Sequence, residues 1–254
     1  MSTVRRTIQV LDLLAKKEAL GVRAVASALE LPVGSIHRLL NDLAAEEVVE
    51  RDARGAWRLA HRLLGIVDLQ LEGIGIHRLA RPYCEAMASA FGETVNVNVL
   101  SGDGCVCVDK VRGNDRMQLD WRVGARGPLH SGGSAKAMLA YLPEAERERI
   151  ARLPITRFTE HTIVDADALL DELSQIRARG YAIDDQELVV GVFCVAVPVI
   201  DRLGRPVAAI SISGPSRKAP GDVIVPLVAR LNEACGQVSQ RLGYAGAWPP
   251  LKDQ

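Results

Sequence analysis

The sequence predicts an α+β protein in two parts, on three observations. Apolar residues recur at helical spacing over residues 4–43, a pair of short β-like runs follows, and after Gly92 strict alternation takes over in ETVNVNVL and CVCVDKV before further amphipathic helices. At 254 residues the chain is long enough for one large core or two modest ones, and the change of texture favours two.

In the first part, Val4 to Lys16 carries Ile8, Leu11, Leu14 and Ala15 on one helical face, and Gly21 ends the element. Val22 to Leu29 reads as a second, short helix with Val25 and Leu29 inward and Arg23 outward. Pro32 opens a third, since proline at a first helical position gives up no needed N–H and presets φ. Within LPVGSIHRLLNDL, Ile36, Leu39, Leu40 and Leu43 form an apolar stripe, and the connection at Glu30 to Leu31 is short enough to force a steep crossing. VVERDARGAWRLA then reads as two strands around a turn at Asp52 to Gly55.

Three helices and a hairpin in this order make a winged helix-turn-helix. The apolar stripe anchors the third helix and leaves Ser35, His37, Arg38 and Asn41 outward, where a helix can read base edges in the DNA major groove. Arg51, Arg54 and Arg58 fall on the wing and Arg5 and Arg6 on an N-terminal arm, positioned for phosphates. The same pattern also occurs in bundles that never touch DNA, so an interaction module whose helix-turn-helix serves only dimerisation stays open here.

From His61 to Ala90 the helical pattern is interrupted by Gly65, Gly73 and Gly75, which suits a connector or a pairing surface. Beyond it the alternating runs form a hairpin around SGDG, and Met117, Leu119, Trp121 and Val123 share one face of a third strand. RGPLHSGGSAKAMLAYL is a glycine-rich loop entering a helix, and another helix is expected from Pro143 to Leu153. VDADALLDELSQIRARG has an N-cap at Asp165, inward Leu169, Leu170, Leu173 and Ile176, and a stop at Gly180. VFCVAVPVI and RPVAAISIS are strands around DRLG, and a last helix spans VIVPLVARLNEACGQVSQRL. The expected arrangement has strands on one side and helices on the other.

Several classes are disfavoured. No run approaches the roughly 18 uninterrupted apolar residues of a membrane span, and the charged, amphipathic start lacks a cleavage site, which predicts a cytoplasmic protein with no membrane partner. The five cysteines are odd in number and sit in apolar runs, as reduced buried thiols do. Lys and Arg, 31 in all, equal Asp and Glu, so any case for nucleic acid must come from local geometry. Scattered histidines, and Cys105 and Cys107 too close for zinc-finger spacing, argue against a metal, and no cofactor is expected. His130, Ser131 and Lys136 suggest a nucleophile with a base, yet adjacent residues point apart and neither G-x-S-x-G nor S-x-x-K is present, so no enzyme is expected.

The chain resembles the IclR-type bacterial transcriptional regulators. The likeness is carried by LPVGSIHRLLNDL, VVERDARGAWRL, ETVNVNVL, RVGARGPLHSGGSAKAML, RARGYAIDDQE, GVFCVAVPV and AAISISGP, in that order. It implies a winged helix-turn-helix over 1–61, a helical linker over 62–91 and a GAF-like effector-binding domain over 92–246. Dimers or tetramers on double-stranded operator DNA, acting as a repressor, are the implied assembly. The resemblance also places Ser35, His37, Arg38 and Asn41 at the DNA, although Val33 and Gly34 stand where relatives often carry a basic residue and a hydroxyl.

The glycines of HSGGSAK would present free N–H groups at a helix start, a place for an anion. The resemblance sets the effector there, against Gly133 and Ser134, with Asp184, Val192, Cys194, Ser211 and Ser213 across the pocket. Two serines two apart in a strand point the same way, while Asp184 suits either a ligand hydroxyl or the capping of a turn. Relatives commonly carry bulk before Pro128 where this chain has Arg126 and Gly127. With Leu119 and Trp121 alongside, the expectation is an enlarged pocket for a small organic acid, with an aromatic or ring-containing carboxylate the candidate.

Overall fold

Ser2 starts the fold: its Oγ accepts the Arg5 N–H at 3.3 Å and caps a helix, α1, that runs Thr3–Lys16. The computed structural model describes residues 2–17, 19–63, 75–114, 121–216 and 221–250. Arg5 and Arg6 therefore lie in the first turn of α1 and not on an extended arm, because the cap brings the helix to the third residue. Of the expected face, Leu14 is buried and Leu11 packs against the core, whereas Ile8 is 53% exposed and Ala15 is exposed; Val10, outside that face, is buried instead. Periodicity cannot choose between adjacent apolar stripes; packing against Val25, Ile36, Leu40 and Trp57 chooses this one.

α2 spans Val22–Ala28 and α3 Val33–Ala45. The turn between them is stapled by the Leu31 N–H to the Ala26 carbonyl at 3.0 Å, with Glu30 at φ 54. Pro32 is the N-cap of α3 and not its first residue: its ψ of 132 is extended, and its carbonyl accepts from Ser35 and Ile36. β1, Val49–Arg51, pairs antiparallel with β2, Trp57–Leu59, and Asp52 Oδ1 holds the turn by accepting from Arg54 and Ala56. These elements belong to one compact unit, Met1–Ile74, and the rest to a second, Gly75–Gln254.

In the second unit α4, Ile76–Phe91, leads into β3, Thr94–Ser101, and β4, Gly104–Val111, followed by the two-residue β5, Arg126–Gly127. Next come α5, Gly133–Leu139, α6, Glu144–Ala151, and α7, Ala166–Arg179. β6, Ala182–Asp185, β7, Val192–Ile200, β8, Pro206–Pro215, and α8, Gly221–Arg241, complete the unit. The sheet runs β5-β4-β3-β8-β7-β6 with every pair antiparallel. Trp121 and Val123, expected in a strand, lie instead in a connection that Gly124 turns at φ 83. The residues pairing with β4 are Arg126 and Gly127; Met117 and Leu119 lie outside the described residues.

Helices cover both faces of this sheet, not one. Alternation sends Ala196 and Ala209 to a core shared with α5, α6 and α7, while Val195, Val197, Ile210 and Ile212 face the opposite side, where α4 and α8 pack. The Cys235 thiol of α8 lies 3.4 Å from the Val197 carbonyl. Strands buried on both faces read as nearly continuous apolar runs, as VFCVAVPVI does.

Candidate DNA-reading face and effector cavity

On α3 the buried Ile36 and Leu40 hold the helix from below, and His37, Arg38 and Asn41 are exposed with Ser35 half-buried beside them. Asn41 Nδ2 and His37 Nδ1 are 3.1 Å apart, so these two side chains present a joined donor-acceptor surface. On the wing Arg54 is exposed at the turn, Arg51 stacks 4.5 Å over the Trp57 ring, and Arg58 is paired with Glu50 at 2.5 Å. Arg58 is thereby partly neutralised, whereas the stacked Arg51 keeps its guanidinium edge.

In the second unit a cavity of about 340 Å³ opens on the α5 face of the sheet. Its floor follows from register: Asp184 lies opposite Cys194, Cys194 opposite Ser213, and Ser211 between Ala196 and Asn96. The wall is Ser131 to Ala135, from the loop entering α5. Gly133 permits this approach, since a Cβ there would stand 3.1 Å from Cys194 Sγ. Every expected effector residue among the described ones, Trp121, Gly133, Ser134, Asp184, Val192, Cys194, Ser211 and Ser213, lines the cavity; Leu119 lies outside the described residues.

Asn96, Asn98 and Ser131 were missed. The signal was available, because asparagine is depleted in strands and ETVNVNVL places two on one face. Trp121 Nε1 donates to Asn98 Oδ1 at 3.2 Å, and Asn98 Nδ2 donates to Ser134 Oγ at 2.9 Å. Ser134 thus accepts from the protein and keeps its own O–H for the cavity. Ser131 Oγ and Asn96 Oδ1 are buried with no protein partner. The room expected from Gly127 is filled, since the edge of Trp121 comes within 2.6 Å of where a Cβ would stand.

Among the described residues, Asp184 is the single carboxylate in the lining. Burial raises its pKa above the ordinary value, against the lowering effect of the Glu187 N–H, which Oδ1 accepts at 2.7 Å. It caps the turn, one of the two roles its position allowed. Behind the wall, Lys136 is completely buried, with its ammonium on Glu187 and 3.6 Å from Glu172. Burial pushes Glu187 up to about 7, opposed by Lys136. Cys194 is pushed up to about 11, chiefly by burial, so its thiol is a neutral wall. All five cysteines are buried and unpaired.

His130 Nε2 meets the Thr156 carbonyl at 2.9 Å and its ring stacks on Phe158, which commits it away from Ser131. With Lys136 sealed in its ion pair, neither base suggested by the sequence is placed to activate that serine. What the cavity offers is recognition: the hydroxyls of its serines and the amides of its asparagines.

Comparison with known proteins decides the family. Residues 69–240 match the family model of the C-terminal domain of bacterial transcriptional regulators of the IclR type, and residues 3–53 match the IclR helix-turn-helix domain. The chain belongs to the IclR family. The HTH-type transcriptional regulator BhcR of Paracoccus denitrificans is 33% identical over 250 residues, covering 98% of this chain and 88% of that one. The HTH-type transcriptional repressor AllR of Escherichia coli is 32% identical, covering 94% and 90%. The crystal structure of the Thermotoga maritima IclR superposes with a TM-score of 0.85 at 30% identity, over 95% of this chain and 99% of that one. The two-part α+β fold is that of an IclR regulator, and among the described residues no helix is long and apolar enough to cross a membrane.

Proposed function

We propose that this IclR-family chain is a cytoplasmic, ligand-responsive repressor and not an enzyme, working as a homodimer or homotetramer on double-stranded operator DNA. The observation that carries the DNA half is α3, whose underside is buried at Ile36 and Leu40 while His37, Arg38 and Asn41 stand exposed. In this reading Ser35, His37, Arg38 and Asn41 read base edges, and Arg5, Arg6, Arg51 and Arg54 lie against phosphates. Segment 62–91 joins the reading head of residues 1–61 to the effector domain of 92–246.

The effector is a small organic acid with a ring. Donors from Ser131, Ser134, Ser211 and Ser213 suit a carboxylate, and among the described residues no cationic side chain lines the cavity to demand a multiply charged ligand. A cavity of about 340 Å³ sits within the range of small-molecule sites, roughly 300 to 1,000 Å³, and the face of Trp121 suits a planar body. Effector binding shifts DNA affinity only if the two DNA-binding states differ in affinity for it.

The test is fluorescence anisotropy on DNA upstream of its own gene, with a salt titration and a panel of aliphatic and aromatic carboxylates. Saturable binding that falls steeply with salt and is weakened by an aromatic acid is expected. Arg38→Ala should weaken DNA binding by about tenfold or more while sparing the acid, and Asp184→Ala should do the reverse. DNA that fails to bind at any salt, or a response intact in Asp184→Ala, sinks the reading.

A further inference from the structure

The second unit holds another concavity that shares no lining residue with the effector cavity. It is a groove of about 860 Å³ between the β3–β4 turn, the start of α6, α7 and the β7–β8 turn. Its apolar floor includes Leu129 and Ile150, members of the central core. Above that floor stand Tyr141, Arg147 and Arg177.

Three polar atoms in these side chains, Tyr141 Oη, Arg147 Nε and Arg177 Nε, are shut off from solvent and have no protein partner. All three can donate. The Arg177 guanidinium lies over the Tyr141 ring, 5.8 Å from its centroid. Two acidic residues also line the groove: Glu146 is 3.6 Å from Arg149, and Glu144 stands at the start of α6. Arg205, at the far lip, is spent on Asp201 through Nη2 and Nε at 2.7 and 3.0 Å. The cations left for a visitor are Arg147 and Arg177.

We propose that this groove is a second ligand site, for an organic anion carrying a carboxylate or phosphate head on an apolar body. Guanidinium groups match planar carboxylate and tetrahedral phosphate oxygens with paired N–H donors, and a donor buried without a partner is costly to keep. The head group takes the Arg147 and Arg177 guanidinium groups, through side-chain shifts that release their buried Nε–H groups and the Tyr141 hydroxyl. The apolar body lies on Leu129 and Ile150.

Isothermal titration calorimetry of the full chain with phenyl phosphate, benzoate and inorganic phosphate tests the assignment, with circular dichroism as the folding control. Arg147→Gln and Arg177→Gln should each weaken phenyl phosphate at least tenfold and Tyr141→Phe about threefold, while Asp184→Asn, which alters the effector cavity, shows how much of each probe binds there. The probe that loses the more affinity in Arg147→Gln and Arg177→Gln identifies the head group. Inorganic phosphate binding as tightly as phenyl phosphate would overturn the apolar body. Unchanged affinity in both folded arginine variants, or no binding by any probe, overturns the site. Loss in Asp184→Asn alone places the probe in the effector cavity and removes the second site while leaving the first. Arginine variants that change the sedimentation of the free protein without touching probe binding make the groove a contact between copies, which also overturns the proposal.

Discussion

Lys136 is wholly buried beside a buried carboxylate. Its ammonium sits on Glu187 at 0% exposure, and Glu187 in turn presents its backbone N–H to Asp184 in the cavity wall. The carboxyl of Glu187 is pushed from 4.5 up to about 7 in the folded chain. The folded state therefore holds a proton that the unfolded state has already released, and this contribution to stability is present below about 4.5 and lost as pH rises to about 7. In Glu187→Gln that dependence vanishes. Relative to the variant, the wild type should lose on the order of 2 kcal/mol between pH 4.5 and 7.5, read from chemical denaturation at both pH values. Parallel pH profiles for the two proteins would sink the assignment. From sequence, Lys136 looked like part of an anion-binding loop. Its burial came from the distant Glu187 and Glu172, contacts that no local spacing announces.

At the scale of elements, local rules worked where the chain makes its own decisions. Asp165 caps α7 by accepting from Ala168 at 2.9 Å, and Gly180 ends it at φ 85, both legible in the residues. They failed where a neighbour decides: which stripe of α1 is buried, that β5 is only Arg126–Gly127, and that β6 forms at all, pairing with β7 across Asp184 and Cys194. Gly34 is the weak point of α3. It lies in the first turn of the helix with an ordinary φ, and a Cβ added there meets nothing within 4 Å. Gly34→Ala should stabilise the first unit by about 0.5–1 kcal/mol, since glycine costs about that much in a helix. A raised denaturation midpoint for the signal of Trp57 would show it, and a lowered one would mean that α3 needs the glycine for some contact other than helix formation.

Over the whole molecule, each unit has buried packing of its own. Val10, Ile36, Leu40 and Trp57 form one core, and Leu139, Leu169, Leu173 and Ala196 belong to another, each inside its own unit. The cavity lies entirely in the second, at Asn96 to Ser213. Stability conferred by a ligand acts on the cooperative unit that holds it, by RT ln(1 + [L]/Kd), or about 2.7 kcal/mol at a hundredfold excess over Kd. Scanning calorimetry should accordingly resolve two transitions. An acid found active in the anisotropy panel should raise only the one that belongs to Gly75–Gln254. Leu40→Ala, which empties a fully buried position of the first core, should lower the other by about 2–5 kcal/mol and leave the ligand-sensitive transition in place. If ligand and Leu40→Ala both move a single shared transition, the units unfold as one. In that case effector and DNA communicate through a common packed structure, and separately stable parts joined by residues 62–91 are the wrong picture.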